Sequence, residues 1–261
     1  MPLDIAELTR LLPERMVEYF PVATSTMSIA AGAAAEGAPH GAIFIADEQT
    51  AGVGRLGRSW YSEPDAGIYL TMVLRLGLPA QTLAVLTLAL GLATAETIHD
   101  ETGLHPDLRW PNDVMIGERK VAGILAQLTD DCLLAGIGIN VNHASLPDDL
   151  SREATSLRNA SGGRIYPREL MIASLAANVD YRCKMLIEKG PAAIIRAFSM
   201  ASSYAKNRRV SFEGPNGPDR GVTAGLDAQG FLLVRTAAGE VVTVMAGGVR
   251  PDRGSETPTA P

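Results

Sequence analysis

Residues 52–60 read Gly52-Val53-Gly54-Arg55-Leu56-Gly57-Arg58-Ser59-Trp60, and they decide the fold class. Their glycine spacing matches the dinucleotide-binding pattern G-x-G-x-x-G, which requires a helix opening inside the glycines and an acidic residue about 20 positions later. The helix is missing, because turn residues lead into the strand-like run Ile68 to Leu76. The acidic residue is missing too, because Gly77 occupies its expected position. The stretch is therefore predicted to be a strand–loop–strand connection whose glycines and arginines suit an anionic ligand.

The composition indicates a globular chain in which any anion site is local. The 261 residues are 46% hydrophobic, carry a formal net charge of −6 and have a pI near 5.3. A broad nucleic-acid footprint needs clustered Lys and Arg over a whole face, so we expect no nucleic-acid partner. Cys132 and Cys183 stand in no metal-ligand spacing, as expected for a reduced intracellular protein.

Several other classes are excluded by the sequence. Met1 to Leu12 has no basic region before an apolar stretch, so we predict a cytoplasmic protein without a secretion signal. The apolar window Leu83 to Ala95 is shorter than the roughly 20 residues of a membrane span and predicts a buried helix. The histidines form no zinc-binding pair and no serine is framed as a nucleophile elbow, which argues against zinc hydrolysis and covalent serine chemistry.

The periodicity predicts helices around a group of strands, followed by an all-β unit. Helices are predicted from near Ser25, from about Ala80 to Thr102 with Gly103 as the stop, over 167–189 and over 191–202. Strands are predicted at Leu108 to Met115, Lys120 to Leu128, Cys132 to Val141, Val210 to Phe212, Val222 to Leu226, Phe231 to Val234 and Val241 to Met245. The expected domains are 1–205 and a small β-barrel over 206–250, with a disordered tail over 251–261.

Five segments together resemble the biotin protein ligases in their residues and in their order along the chain. They are Ser25-Thr26, the loop from Gln49 to Trp60, Arg109-Trp110-Pro111-Asn112-Asp113, Lys120-Val121-Ala122-Gly123-Ile124-Leu125 and Gly136-Ile137-Gly138-Ile139-Asn140. The match spans most of residues 24–142, and the terminal barrel fits the C-terminal domain of that family. The resemblance implies an α/β (α+β) catalytic domain like those of class II aminoacyl-tRNA synthetases and biotin ligases, plus a small SH3-like barrel.

The resemblance also implies a two-step reaction. Biotin and ATP, with Mg²⁺ expected, would form biotinyl-5′-adenylate, and a lysine of the biotin carboxyl carrier domain of a carboxylase would then attack the mixed anhydride. The enzyme supplies no nucleophile. Its physical task is to hold a carboxylate against the α-phosphate despite their repulsion, which basic side chains in a water-poor pocket can do.

Residue roles follow from the same resemblance. Lys120 would bridge the biotin carboxylate and the α-phosphate, Arg55 would seal the adenylate, and Asp113 would receive or orient the proton of the acceptor lysine. The implied biotin-binding set is Ser25, Thr26, Gln49, Gly54, Arg55, Lys120, Gly123 and Gly138. The implied ATP or adenylate set is Arg55, Arg58, Trp60, Asn112, Lys120 and Asn140.

Simpler roles compete with several of these. Ser25 and Thr26 could cap a helix, Asn112 and Asn140 could cap backbone groups, and a strand glycine could mark a bulge. For Trp60 the resemblance implies a position near the adenine, where the ring would supply a stacking face, whereas Trp110 is expected in the core.

Two positions depart from the family pattern, and three functional readings stay open. Val53 stands where an arginine is frequent, which could loosen adenylate retention, and Met27 stands where Asn commonly follows Ser-Thr. The rivals to biotinylation are a lipoate ligase or acyltransferase of the same superfamily and a non-catalytic biotin- or nucleotide-binding adaptor. Only about 24 residues precede Ser25, too few for a three-helix DNA-binding unit, so we expect a ligase without operator binding. The sequence leaves monomer and homodimer open.

Overall fold

The computed structural model describes residues 2–129, 131–214 and 217–252, which form two β-sheets and the helices around them. The larger sheet contains β1 Val17–Ala23, β2 Ile43–Gln49, β3 Ile68–Leu74, β4 Asp107–Arg109, β5 Asp113–Ile116, β6 Arg119–Leu128 and β7 Leu133–Ile139. Its order is β1-β2-β3-β7-β6-β5-β4, with β1 and β2 parallel and the other neighbours antiparallel. The predicted mixed α/β architecture is confirmed.

Helices cover both faces of this sheet. They are α1 Ile5–Leu11, α2 Thr26–Ala35, α3 Leu83–Thr102, α4 Asp148–Ser151, α5 Leu157–Ala160, α6 Arg168–Lys189 and α7 Pro191–Ala201. On one face α3 packs against α6 and α7 over the main apolar core, while α2 packs on the other face against β2, β3 and β7. Because β3 is covered on both sides, all of its residues are buried, as its unbroken apolar sequence requires.

The long helix α3 is a core element. It ends at Gly103, whose φ of +72° is left-handed and whose N–H donates to the carbonyl of His99 at 2.8 Å. By length and composition Ala80–Thr102 could cross a membrane, the only such stretch among the residues described, but 61% of its most apolar window is buried inside the protein. That burial and its packing against α6 are those of a core helix.

The C-terminal sheet is antiparallel and joins the same core. Its strands are β8 Lys206–Gly214, β9 Gly217–Leu226, β10 Leu232–Thr236, β11 Val241–Val244 and β12 Val249–Pro251, in the order β11-β10-β9-β8-β12. The buried side chains of Phe212, Leu232 and Val249 belong to the main hydrophobic cluster. The C-terminal sheet is therefore packed against the larger sheet and its helices.

Three sequence predictions for the strands need correction. The run Leu108 to Met115 was expected to be one strand, but it forms β4 and β5, paired antiparallel with Asp107 opposite Met115. Pro111 interrupts it, because proline has no N–H for a sheet ladder. β1 and β12 were missed, and β12 extends to Pro251, where a tail was expected; residues 253–261 lie outside the described residues.

A buried ion pair fastens the start of α6 to strand β2. Asp47 on β2 is 4% exposed, and its Oδ1 accepts a hydrogen bond from Nη1 of Arg168 at 2.6 Å. Its Oδ2 accepts from the hydroxyl of Tyr19 on β1 at 2.6 Å and from the backbone N–H of Leu3 at 3.4 Å. Burial, followed by the hydrogen bond to Asp47, raises the pKa of Tyr19 to about 12.

This pKa shift predicts a pH-dependent contribution of Tyr19 to stability. The folded state favours the neutral phenol, so the contribution is complete below the unfolded pKa of about 10 and is lost as the pH rises towards about 12. We expect Tyr19→Phe to lower the free energy of unfolding at neutral pH by about 1 to 3 kcal/mol. The difference from the wild type should shrink between about pH 10 and 12 in denaturant titrations. Tyr181→Phe, which removes a hydroxyl from an exposed ring, is the control; a difference from the wild type that stays constant with pH would contradict the assignment.

Candidate active site

The basic loop folds back on itself as a small hairpin. An isolated bridge pairs Val53 with Ser59, and the N–H of Trp60 donates to the carbonyl of Gly52 at 2.8 Å. A Cβ atom on Gly52 would lie 2.7 Å from the carbonyl oxygen of Trp60, so this close approach requires glycine. Arg55 is half-buried at the inner side of the hairpin. The predicted strand–loop–strand connection thus holds Trp60 and Arg55 in fixed positions.

A small cavity of about 50 Å³ lies where the start of α2 meets the sheet. The side-chain oxygen of Gln49 accepts from the N–H of Thr26 at 2.9 Å and from its hydroxyl at 3.2 Å, and its amide nitrogen donates to Ser62 Oγ at 3.1 Å. Thr71 Oγ1 donates to Thr26 Oγ1 at 2.9 Å. Ser25 is the N-cap residue of α2, but its buried hydroxyl makes no cap hydrogen bond and has no partner among the residues described. The cavity wall is a fixed polar network with one hydroxyl left to bind a ligand.

The indole of Trp60 covers a glycine floor. Gly123 on β6 pairs with Gly138 on β7, so two positions without side chains lie next to each other. A Cβ atom on Gly123 would lie 2.8 Å from the indole Cζ3, and one on Gly138 would lie 2.6 Å from its Nε1. That Nε1 is buried without a hydrogen-bond partner in the described part of the chain. The cavity has room for only a few water molecules because Trp60 occupies the space above the glycines.

A larger cavity of about 550 Å³ adjoins the small one and is lined by both domains. Asp113 lies between two cations at its wall: Lys120 Nζ is 2.5 Å from Oδ1, and Arg109 Nη2 is 2.7 Å from Oδ2. Lys120 Nζ also lies 5.2 Å from the centroid of the Trp60 ring, within cation–π range. Burial of Asp113 opposes its ionised form, but the charges of Lys120 and Arg109 outweigh this and hold its pKa below the ordinary carboxyl value.

Arg55 links the loop, the sheet and the C-terminal unit. Its Nη1 donates to Oδ1 of Asn112 at 3.0 Å and to the carbonyl of Gly247, between β11 and β12, at 2.9 Å. Burial lowers the pKa of Arg55, partly offset by the charge of Asp113, and the guanidinium stays protonated. Both acceptors are neutral, so neither of them compensates the positive charge of Arg55, which can attract an anionic ligand. Arg58, in contrast, is exposed on the same loop.

The structure brings the sequence-predicted residues together. All eight residues of the implied biotin set line the small cavity, and all six of the ATP or adenylate set, together with Asp113, line the large one. Arg55, Lys120, Asn112, Gly54 and Trp60 line both. The two asparagines also have structural partners: Asn112 Nδ2 donates to the carbonyl of Ile124 at 2.8 Å, and Asn140 Nδ2 to that of Thr155 at 3.1 Å.

Several site residues were missed by the sequence analysis. Thr71 is paired across strands with Gly136, and the strand register could have identified it. Arg109 lies opposite Asp113 in the β4–β5 hairpin, an arrangement hidden because this segment was expected to be one strand. Glu153 and Arg250 line the large cavity from distant parts of the chain and lie 3.4 Å apart. No local pattern marks them.

The residues described contain no group of three His, Cys, Asp or Glu side chains that could hold a metal ion. A Mg²⁺ ion carried by substrate phosphates needs only one or two carboxylates and keeps several waters. Glu153 and Glu213 line the large cavity and offer oxygen ligands of that kind. Two carboxylates of this kind fit a metal ion that is carried by phosphates.

A glycine-floored cavity joined to a larger, cation-lined cavity on a mixed sheet defines an α/β enzyme that brings two anionic groups together. Comparison with known proteins agrees. Residues 19–143 match the Biotin/lipoate A/B protein ligase family, and residues 207–249 match the Biotin protein ligase C terminal domain. The chain is 34% identical over 239 residues to the bifunctional ligase/repressor BirA of Bacillus spizizenii, covering 88% of this chain and 72% of the relative. It is 35% identical over 223 residues to the biotin--[acetyl-CoA-carboxylase] ligase of Mycobacterium tuberculosis, covering 83% of this chain and 81% of that relative.

Solved structures show the same architecture. The Aquifex aeolicus biotin protein ligase in complex with biotin and ATP has a TM-score of 0.79 at 29% identity, covering 90% of this chain and 97% of the other. The Leishmania major biotin protein ligase in complex with biotinyl-5-AMP has a TM-score of 0.63 at 26% identity, covering 88% of this chain and 99% of the other. This chain belongs to the biotin protein ligase family and is a ligase.

Proposed function

We propose that this protein catalyses ATP-dependent biotinylation of a lysine on a biotin carboxyl carrier domain through biotinyl-5′-adenylate. The observation that carries the proposal is that Arg55 and Lys120 line both the small and the large cavity. A ligand with its rings in the small cavity and its carboxylate at the junction would meet a nucleotide phosphate in the large one. The similar proteins solved with biotin and ATP, or with biotinyl-5-AMP, support biotin and a nucleotide as the two ligands.

In the first step a biotin carboxylate oxygen attacks the α-phosphorus, a mixed anhydride forms and pyrophosphate leaves. Two anions must approach each other, so the junction needs positive charge. Lys120 supplies this positive charge when its ammonium leaves Asp113 and binds the substrate oxygens. Asp113 then stays paired with Arg109. Arg55 adds a second cation whose present partners are neutral. Mg²⁺ would arrive with ATP and offset phosphate charge, with Glu153 and Glu213 as carboxylates in reach of the same cavity.

In the second step the acceptor lysine amine attacks the acyl carbon, an amide forms, AMP leaves and a proton is released. Asp113 lines the large cavity and not the small one, so we place the acceptor lysine in the large cavity. An ionised Asp113 attracts and orients the acceptor ammonium, and the low pKa of the carboxyl favours that role over proton storage. A carrier domain as partner is supported by the similarity to the mycobacterial biotin--[acetyl-CoA-carboxylase] ligase. A cytoplasmic location is supported by two buried free cysteines.

The function is tested by measuring pyrophosphate release with biotin, with lipoate and with neither acid. We expect Mg-ATP to be consumed with biotin and mass spectrometry to find a biotin adduct on the lysine of an added carrier domain. Release with lipoate alone would favour the lipoate ligase interpretation. Binding of biotin or nucleotide without any pyrophosphate release would favour the non-catalytic adaptor.

Biotin binding should also displace Trp60. The ring system of biotin cannot share the glycine floor with the indole, because the free volume there is about 50 Å³ and the indole contacts both glycines. The chain has two tryptophans, and Trp110 is buried with its Nε1 donating to the carbonyl of Gly230 at 3.0 Å. We therefore expect a biotin titration to change the intrinsic fluorescence in the wild type, and no change in Trp60→Phe. Calorimetric biotin binding by the wild type with unchanged fluorescence would show that Trp60 stays in place.

A further inference from the structure

Met27 forms an apolar wall of the small cavity. It is the second residue of α2 and 7% exposed, and it lines the cavity next to Thr26. Its other contacts belong to the apolar cluster between α2 and the sheet, which includes Ala30, Phe44 and Leu134. The side chain therefore extends from a packed core into the site, on an element that is held in place by that core.

The position of Met27 depends on a glycine opposite it. A Cβ atom on Gly136 of β7 would lie 2.7 Å from Sδ and 3.2 Å from Cγ of Met27. The thioether thus occupies the volume that any side chain at residue 136 would need. Gly136 is paired with Thr71 on β3 and Leu125 on β6, so its backbone cannot move away without breaking the sheet register. Met27 and Gly136 form a matched large–small pair.

This pair contrasts with the polar wall of the same cavity. The polar wall, made by Thr26 and Gln49, is hydrogen-bonded and can recognise a ligand by hydrogen bonds. Methionine offers no strong donor or acceptor and can act only through its shape and its apolar surface. The polar wall therefore orients a ligand, and Met27 limits its size.

We propose that Met27, seated on Gly136, is a specificity-determining residue that sets the size of head group the small cavity accepts. The proposal rests on the proposed function, with the biotin rings in this cavity. An added methyl group that points towards Met27 has no free volume to enter, because core residues and the β7 backbone hold the thioether from behind. Shortening residue 27 to alanine opens that volume without altering Thr26 or Gln49.

The experiment measures, by calorimetry, the affinities for biotin and for biotin analogues methylated at successive positions of the bicyclic ring. We expect the wild type to bind at least one analogue about 10-fold or more weakly than biotin, as expected for one excess carbon in an apolar pocket, and Met27→Ala to remove most of that discrimination. Met171→Ala, a buried methionine of α6 outside the cavity, is the matched control and should keep the ratios of the wild type. Unchanged ratios for every analogue in Met27→Ala would overturn the proposal.

A second pair of variants tests the contact itself and does not depend on Met27→Ala alone. Gly136→Ala should push the flexible thioether into the cavity and weaken biotin binding. Adding Met27→Ala to that background should restore it, because the new methyl group then takes the vacated volume. If Gly136→Ala weakens biotin binding equally in the wild-type and Met27→Ala backgrounds, the proposal is also overturned. A wild type that binds no biotin would instead overturn the proposed function, and this inference with it.

Discussion

Lys120→Ala is expected to lower the rate of biotin-dependent pyrophosphate release by about 10²-fold or more. Lys120 is the ammonium that lines both cavities next to Asp113, so its loss leaves Arg55 to offset the repulsion between the carboxylate and the phosphate without it. Asp113 keeps Arg109 as a partner, so the variant should fold. The measurement is the steady-state rate with saturating ATP over a range of biotin concentrations. Because the charge matters most as the anions join, the loss should fall on kcat more than on KM.

Arg119→Ala is the matched control. Arg119 is the neighbouring cation on β6, but its side chain is exposed and it lines neither cavity. The same change of formal charge should therefore leave the rate close to that of the wild type. A fully active Lys120→Ala, or an equal loss in both variants, would remove Lys120 from the proposed first step. The second result would assign the effect to the general electrostatic field.

Local sequence patterns predicted the parts of the site that lie on single strands or loops. The missing helix after Gly57 was enough to reject a dinucleotide-binding turn, because that motif depends on a helix N-terminus. Gly123 and Gly138 could be placed in one cavity only through the resemblance, since their adjacency depends on the register of β6 and β7. The roles implied for the site residues stay predictions.

Contacts made across the fold could not be predicted. The carbonyl of Gly247 binds Arg55 across 192 residues of sequence, and a backbone acceptor leaves no signature in the side-chain pattern. The fit between Met27 and Gly136 is likewise a matter of packing between α2 and β7. The contact of Trp60 with the glycine floor could not be predicted either, because the sequence does not show how the loop folds back. The expected position of Trp60 near the adenine stays a prediction.

Asp113→Asn is expected to slow biotin transfer from preformed biotinyl-adenylate to a carrier domain by about 10²-fold. The amide keeps the shape of the carboxylate but removes its charge, so the acceptor ammonium would approach Arg109 and Lys120 with no anion between them. The measurement is a single-turnover transfer assay, which separates this step from adenylation. Glu118→Gln, which neutralises an exposed carboxylate in the turn between β5 and β6 that lines neither cavity, is the control and should have a small effect.

The pH dependence of that transfer distinguishes two roles for Asp113. The ordinary pKa of an aspartate carboxyl is roughly 3.9. The pKa of the Asp113 carboxyl is lowered from that value, so Asp113 stays ionised across about pH 5 to 8. The amine of the acceptor, with an ordinary pKa of about 10.4, must lose its proton, so the rate should rise steadily with pH in both proteins. Asp113→Asn should lower the whole curve without changing its slope. An inflection near neutral pH that is present in the wild type and absent from the variant would mean that Asp113 takes up the proton itself, and the orienting role would be wrong.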